Sequence, residues 1–168
     1  MTLLTRLCAL LHDLAHIPFG HTLEDEGKLF PSQWKDKKRI KIFLGDNSEI
    51  GKIIVNYINR STLKRIRDIL TAEDEEEIQE LQYPIVADIV GNTICADLLD
   101  YLARDLYYSG IRGTYDERFL DYLIVQKLDG SEKQRLAITL FKPVKGDYRR
   151  DVVSELLHLL RLRYTLAE

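Results

Sequence analysis

Three histidines and an aspartate fall within ten residues near the start of the chain, in the run His12-Asp13-Leu14-Ala15-His16-Ile17-Pro18-Phe19-Gly20-His21. The apolar segment Leu7-Cys8-Ala9-Leu10-Leu11 comes directly before it. Successive residues of a helix project about 100° apart, so His12 and Asp13 flank one point in space. His16 follows one turn later on the His12 side. Imidazole and carboxylate groups together suit a divalent metal ion with open positions, which is typical of a hydrolytic centre.

The end of this run predicts a turn. Pro18 and Gly20 are expected to end the first helix, predicted over residues 3–15, and to return His21 over its end. A lone His-Asp pair would more often satisfy backbone groups at a helix end than bind a metal ion. The surrounding ten-residue pattern favours the metal site, whereas for His16 a structural role at the helix end stays open.

A second polar cluster occupies one face of a helix predicted over residues 93–108, and its spacing of three, four and seven residues follows the helical repeat. Its members are Asp97, Asp100, Tyr101, Arg104, Asp105 and Tyr108. Leucines take another face of the same helix. A carboxylate here could reach a metal ion, a tyrosine and a second carboxylate could hold a sugar, and an arginine could hold phosphate. Taken alone, ion pairs on a solvated helix face explain the pattern equally well.

Apolar periodicity predicts a mainly helical, all-α fold with a small β-hairpin near residues 122–141. Residues 22–45 are predicted to be an irregular connector, with a solvated basic cluster at 35–41. Ser48 is expected to cap the next helix, and a helix over residues 149–168 closes the chain. Without repeats or an evident linker, we expect one domain over residues 1–168.

Composition restricts the partners. The chain has 168 residues and a net charge of −3, so nothing attracts it as a whole to nucleic acid or to an anionic membrane. Nucleic acid is therefore not an expected partner. Cys8 and Cys95, in apolar helical surroundings, favour core positions and a reducing cytoplasm. Neither a signal peptide nor a membrane span is predicted. Because both ends are abrupt, we expect a fragment that lacks segments on either side.

These motifs together resemble a known family. His12-Asp13 with a distant Asp97, in a helical chain, is similar to the HD superfamily of metal-dependent phosphohydrolases. The full first run, followed by Asp-Leu-Leu-Asp-Tyr-Leu-Ala-Arg-Asp at residues 97–105, resembles the branch that contains the deoxynucleoside triphosphate triphosphohydrolases. The hairpin and the arginine-bearing helix after it also fit that branch.

The resemblance implies the metal ligands. His12 and Asp13 match the central pair, and Asp97 matches the ligand from the later helix. Members of the superfamily carry a further metal-binding histidine upstream, but no histidine precedes His12. The segment that would carry this upstream histidine is therefore expected to be missing. A divalent ion is implied, and a His/Asp shell accepts Mn, Fe, Co, Zn or Mg.

The resemblance also implies catalytic groups. His16 and His21 match histidines that face the substrate phosphates, and Glu24 matches an acid that orients His21. A further phosphate-facing histidine, expected in the connector at residues 22–45, has no counterpart.

Substrate-binding residues follow from the same resemblance. Tyr101 and Asp105 match the pair that reads the deoxyribose and discourages a 2′-hydroxyl. Arg163 matches a phosphate-contacting arginine, with Arg161 as the alternative. His158 matches no family site.

Two functions follow as hypotheses. The first is a metal-dependent phosphohydrolase acting on nucleotides, similar to a deoxynucleoside triphosphate triphosphohydrolase. The alternative is a non-catalytic nucleotide-binding or interaction module with an incomplete metal site. The expected partner is a nucleotide, and homo-oligomerisation stays open because relatives often assemble.

Overall fold

A computed structural model describes residues 1–19, 23–24, 27–31, 37–128, 130–142 and 147–167. In this part of the chain the fold is mainly helical, with one two-stranded antiparallel sheet, which confirms the predicted fold class. The helices are α1 (Thr2–Leu11), α2 (Lys37–Leu44), α3 (Glu49–Tyr57), α4 (Arg60–Leu70), α5 (Glu75–Glu80), α6 (Pro84–Gly91), α7 (Ala96–Ser109) and α8 (Arg150–Ala167). The strands are β1 (Leu123–Lys127) and β2 (Gln134–Ile138), and a 3₁₀ helix at Glu117–Tyr122 precedes them.

The chain folds into two compact units, Met1–Gly91 and Asn92–Glu168. The single domain over residues 1–168 stays a prediction, because one evolutionary domain can contain two compact units. Among the described residues, none of the helices combines the length and apolar character that crossing a membrane requires.

In the first unit, α1 packs against α4 and α6, and α4 also contacts α2 and α3. Apolar residues spaced three and four apart turn inward from each helix, because that spacing places them on one face. Buried members of this core include Leu4, Cys8, Leu44, Ile54, Leu63, Ile66 and Val86. The core therefore supports the end of α1, where the histidine motif begins.

Two features of the first unit differ from the sequence prediction. Helix α1 ends at Leu11 rather than near residue 15, and the following residues form turns in which the His16 N–H donates to Asp13 O at 3.1 Å. Helix α2 lies inside the predicted irregular connector. Its inward positions, Ile40 and Leu44, are only one turn apart, too short a pattern to stand out among the surrounding basic residues.

Helix starts in this unit follow ordinary capping chemistry. The Ser48 side chain accepts from Gly51 N–H, as predicted for the start of α3. Helix α4 is capped by Asn59, whose Oδ1 accepts from Thr62 N–H at 2.7 Å. Asp74 caps α5 in the same way.

The second unit is built on α7 and α8, which pack against each other. Its core is entirely apolar and consists of Leu98, Leu102, Leu106, Phe119, Leu159 and Leu162. Helix α7 ends at Gly110, whose φ of 71° is a left-handed conformation that glycine adopts at low cost. The predicted hairpin is present, with Leu123 paired to Ile138 and Lys127 paired to Gln134.

Candidate functional site

The first polar pair of the motif lies in the turn that follows α1. Nδ1 of His12 lies 2.8 Å from the carbonyl oxygen of Ala9, one turn back. Because a carbonyl oxygen only accepts, this contact places the proton on Nδ1 and leaves the lone pair of the neutral ring on Nε2. Nε2 lies 3.3 Å from Oδ2 of Asp13. A histidine held in this way through its other nitrogen is typical of metal ligands.

His16 extends this cluster from the next turn. Its Nε2 lies 3.7 Å from Oδ1 of Asp13, and its Nδ1 lies 3.2 Å from Oε2 of Glu24. The imidazole of His16 therefore lies between two carboxylates, one largely exposed and one buried. The structure brings together the predicted residues His12, Asp13, His16 and Glu24.

Glu24 occupies the buried end of this cluster, and no part of its side chain is exposed. Its Oε1 accepts from Ile17 N–H at 3.3 Å and from Nη1 of Arg39 at 2.6 Å. The prediction that Glu24 orients His21 stays a prediction, because His21 lies outside the described residues. The contact that the structure does show is with His16.

Arg39 belongs to this site although the sequence prediction assigned it to the solvated basic cluster at 35–41. Its Nη1 also donates to the carbonyl oxygen of Ala15 at 3.0 Å, and its Nη2 donates to that of Pro31. Its position on α2, directly before the buried Ile40, is a weak indication that it turns inward. Spacing alone could not show which groups it contacts.

The donor set fits part of a divalent metal shell. An imidazole nitrogen and a carboxylate oxygen converge at His12 and Asp13, and both are common ligands of Mn, Fe, Co and Zn. Within the described ranges, no group of three or more His, Cys, Asp or Glu side chains is arranged to hold a metal ion. The pair therefore fits two positions of a shell, and the remaining positions need other ligands.

The other predicted residues belong to the second unit. Asp97 lies in the first turn of α7, half-buried, and Tyr101 follows one turn later, also half-buried. Asp105 is exposed and lies 3.4 Å from Nε of Arg104, whose Nη1 also pairs with Asp100 at 2.7 Å. Arg104 therefore forms ion pairs with Asp100 and Asp105 on this helix, which is the pairing that the sequence left open.

Electrostatics link Tyr101 to three of the predicted residues. Burial raises the pKa of the Tyr101 phenol above its ordinary value; the guanidinium of Arg163 lowers that pKa, and the carboxylates of Asp97 and Asp105 raise it. The second unit thus brings Asp97, Tyr101, Asp105 and Arg163 into one neighbourhood. His158, by contrast, has Nε2 2.9 Å from Thr114 O, which is a structural contact within this unit.

The histidine–aspartate pair and Asp97 both fall in the stretch that a known family covers. Residues 2–105 match the HD domain family, which is more than half of the chain. The chain belongs to the HD domain family. HD domains typically bind divalent metals.

Two curated proteins are similar to this HD-family chain. The uncharacterized protein MJ1154 of Methanocaldococcus jannaschii is 34% identical over 107 residues, which are 64% of this chain and 18% of that protein. The uncharacterized protein YwfO of Bacillus subtilis is 36% identical over 114 residues, which are 67% of this chain and 23% of that protein. The chain therefore spans about a fifth of the length of these relatives.

Proposed function

We propose that this chain carries the metal-binding part of a phosphohydrolase that acts on nucleotides, with a deoxynucleoside triphosphate as substrate and triphosphate and a nucleoside as products. The observation that carries the proposal is the convergence of His12 Nε2 and Asp13 Oδ2 at 3.3 Å, with the other ring nitrogen of His12 facing Ala9 O. The pair therefore presents the Nε2 lone pair of His12 and the negative charge of Asp13 side by side, as a metal ion requires.

His12 and Asp13 are the residues of the first unit that would hold a divalent ion, and the resemblance assigns Asp97 as a further ligand. A bound divalent ion polarises a phosphoryl oxygen and so lowers the barrier to attack by water. In the hydrolysis, the oxygen of water forms a new bond to phosphorus, the phosphorus–oxygen ester bond breaks, and the leaving oxygen takes up a proton.

His16 supplies the proton-handling group. The negative charge of Glu24, with Oε2 3.2 Å from His16 Nδ1, favours a proton on that nitrogen. Nε2 of His16 is then the nitrogen that accepts or returns a proton during the reaction. His21 is proposed as a second phosphate-facing group on the resemblance alone.

The substrate preference is proposed from the second unit. The resemblance implies that Tyr101 and Asp105 read a sugar lacking a 2′-hydroxyl, and the charge of Asp105 reaches the Tyr101 phenol. Arg163, whose charge reaches Tyr101, offers a guanidinium for a phosphate group. This combination favours a deoxynucleotide over a simple phosphate ester.

A second candidate function is a nucleotide-binding module without catalysis. One observation favours it: in the described part of the chain, no group of three or more His, Cys, Asp or Glu side chains is arranged to hold a metal ion. A chain of this kind would bind nucleotide and leave it intact.

The test is a product assay with the 168-residue chain. Deoxynucleoside and ribonucleoside triphosphates are incubated with Mn, Fe, Co, Zn or Mg, and tripolyphosphate, pyrophosphate and inorganic phosphate are separated by ion chromatography. Tripolyphosphate from deoxynucleotides supports the first proposal. Inorganic phosphate alone indicates a different phosphohydrolase, and binding without products supports the second candidate.

Matched variants make the assay specific. His12→Ala and Asp13→Ala should abolish product formation, because each removes one of the converging donors. His158→Ala is the control, because this histidine contacts Thr114 O rather than a predicted site residue. Equal activity in all four proteins would show that the product comes from a contaminant or from another site.

A further inference from the structure

We propose that Arg39 is a positioning residue, which fixes the imidazole of His16 through the buried carboxylate of Glu24. Its expected effect on catalysis rests on the proposed function, whereas its effect on the His16 ring does not.

The guanidinium of Arg39 bridges three separate segments. Nη1 donates to Glu24 Oε1 at 2.6 Å and to the carbonyl oxygen of Ala15 at 3.0 Å, and Nη2 donates to that of Pro31. Only 15% of the arginine side chain is exposed. A planar fork with several fixed donors can hold three acceptors at once, which a lysine ammonium on a flexible stem does far less well. Arg39 thus joins the turn after α1, Glu24 and the segment before α2.

The carboxylate needs this partner because it is completely buried. A buried carboxylate without compensating charge and hydrogen bonds is strongly unfavourable. Arg39 supplies a permanent positive charge on Oε1, and Ile17 N–H donates to the same oxygen at 3.3 Å. Oε1 is thereby engaged, and Oε2 is the oxygen directed at Nδ1 of His16, 3.2 Å away.

The ring of His16 is in turn fixed by that oxygen. The charge of Oε2, which lies 3.2 Å from Nδ1 at an ion-pair distance and not in a hydrogen bond, favours the tautomer protonated on Nδ1. The lone pair then lies on Nε2, which faces Asp13 Oδ1 at 3.7 Å. If Arg39 is replaced by a neutral residue, Glu24 loses its charge partner and turns away. His16 then loses the negative charge that selects its tautomer.

The direct test is the tautomer of His16, measured on the full chain by nitrogen-15 NMR of the imidazole rings. The chain has four histidines, and His16→Gln assigns the signals of His16. At about pH 8.5, roughly two units above the ordinary histidine pKa, neutral rings dominate. We expect the Nδ1–H form in the natural chain and a shift towards Nε2–H in Arg39→Gln. Arg39→Lys should show a smaller shift in the same direction.

Arg67→Gln is the matched control, because Arg67 also bridges a carboxylate and a backbone carbonyl in the first unit. Its Nη1 donates to Asp46 Oδ1 at 3.0 Å and to Leu44 O at 3.4 Å. We expect no change of the His16 tautomer in this variant. An unchanged tautomer in Arg39→Gln, or an equal shift in Arg67→Gln, would overturn the proposal. If circular dichroism shows that Arg39→Gln is unfolded, the His16 tautomer in Arg39→Lys is the test. An unchanged tautomer in that variant would then overturn the proposal.

The catalytic consequence is measured separately. Removing a positioning residue of this kind typically lowers activity about 10–100-fold, so we expect kcat of Arg39→Gln to fall within that range with KM unchanged. Arg67→Gln should keep kcat. A natural chain without any phosphohydrolase activity would remove the proposed function, whereas the NMR result would still decide whether Arg39 positions His16.

Discussion

Oε2 of Glu24 lies 3.2 Å from Nδ1 of His16, and no part of the glutamate side chain is exposed. This pair links the histidine turn after α1 to a buried charge. The same carboxylate accepts from Arg39 on α2, so an element that the sequence assigned to an irregular connector contributes to the site. Five predictions on stability, titration and reactivity can be measured apart from catalysis.

Breaking the buried Glu24–Arg39 pair should destabilise the chain. Arg39→Ala leaves the carboxylate buried without a permanent positive charge, and removing one partner of such a pair costs about 3–5 kcal/mol in the free energy of unfolding. Urea denaturation followed by circular dichroism measures this loss. The control is Lys64→Ala, which breaks an exposed pair with Asp68 and should change stability by less than about 1 kcal/mol. Equal losses in the two variants would contradict the buried role of Arg39.

The core of the second unit should be sensitive to truncation at Leu102. This side chain is fully buried among Leu98, Leu106 and Phe119. Leu102→Ala should cost about 2–5 kcal/mol, because it removes buried apolar surface and leaves a cavity. Leu120→Ala, at a position that is 53% exposed, is the matched control and should cost less than about 1 kcal/mol. Urea denaturation is again the measurement, and a larger loss at Leu120 would refute the assigned core.

The pKa of Tyr101 should report on Arg163. Because the guanidinium of Arg163 lowers this pKa, Arg163→Gln should raise it further above the ordinary value of tyrosine. Arg161→Gln should leave it unchanged, since residues two apart on a helix do not share a face. Titration of the tyrosine ring carbons by NMR gives the pKa, with Tyr101→Phe for assignment. A shift in Arg161→Gln alone would reverse the choice between the two arginines.

The same raised pKa has a consequence for stability. The folded chain holds the Tyr101 proton more tightly than the unfolded chain does, so this contribution is fully present below pH 10. It is lost as the pH rises above that value through the pKa of the folded chain. In Tyr101→Phe the fall of the unfolding free energy at high pH should be smaller than in the natural chain. The exposed Tyr107→Phe should keep the natural pH profile.

The two cysteines should differ in reactivity. Burial raises the pKa of the Cys8 thiol to about 12, and Cys8 has no exposed surface, whereas Cys95 is half-buried. Because the thiolate is the reactive form, a disulfide reagent at neutral pH should modify Cys95 and spare Cys8 until the chain is unfolded. Cys95→Ala should therefore remove the reaction of the folded chain. Rapid modification in that variant would show that the first unit opens readily.

The sequence predicted those parts of the fold whose determinants are local. Tyr101 and Asp105 share a face of α7 because their spacing matches the helical repeat, and the hairpin follows from two apolar runs around Gly130. Helix α2 was not predicted, because two inward apolar residues among many bases form too short a pattern. The end of α1 at Leu11 was also not predicted, since His12 and Asp13 follow in turns that keep a nearly helical path.

The site was predictable in its residue types but not in all of its contacts. Adjacency on a helical turn placed His12 beside Asp13, and the structure shows the pair together. The contact of Glu24 with His16 joins side chains eight residues apart along the chain, a contact that local preferences do not define. The same is true of Arg39, because its acceptors lie 24, 15 and 8 residues away along the chain.

Metal content tests the central claim most directly. The natural chain, His12→Ala, Asp13→Ala and the control His158→Ala are each loaded with Mn, Fe, Co, Zn or Mg, desalted and analysed by inductively coupled plasma mass spectrometry. We predict that the natural chain and His158→Ala retain at least one of these metals, and that His12→Ala and Asp13→Ala lose it. Equal metal content in all four folded proteins, or none in the natural chain, would contradict a metal site at His12 and Asp13.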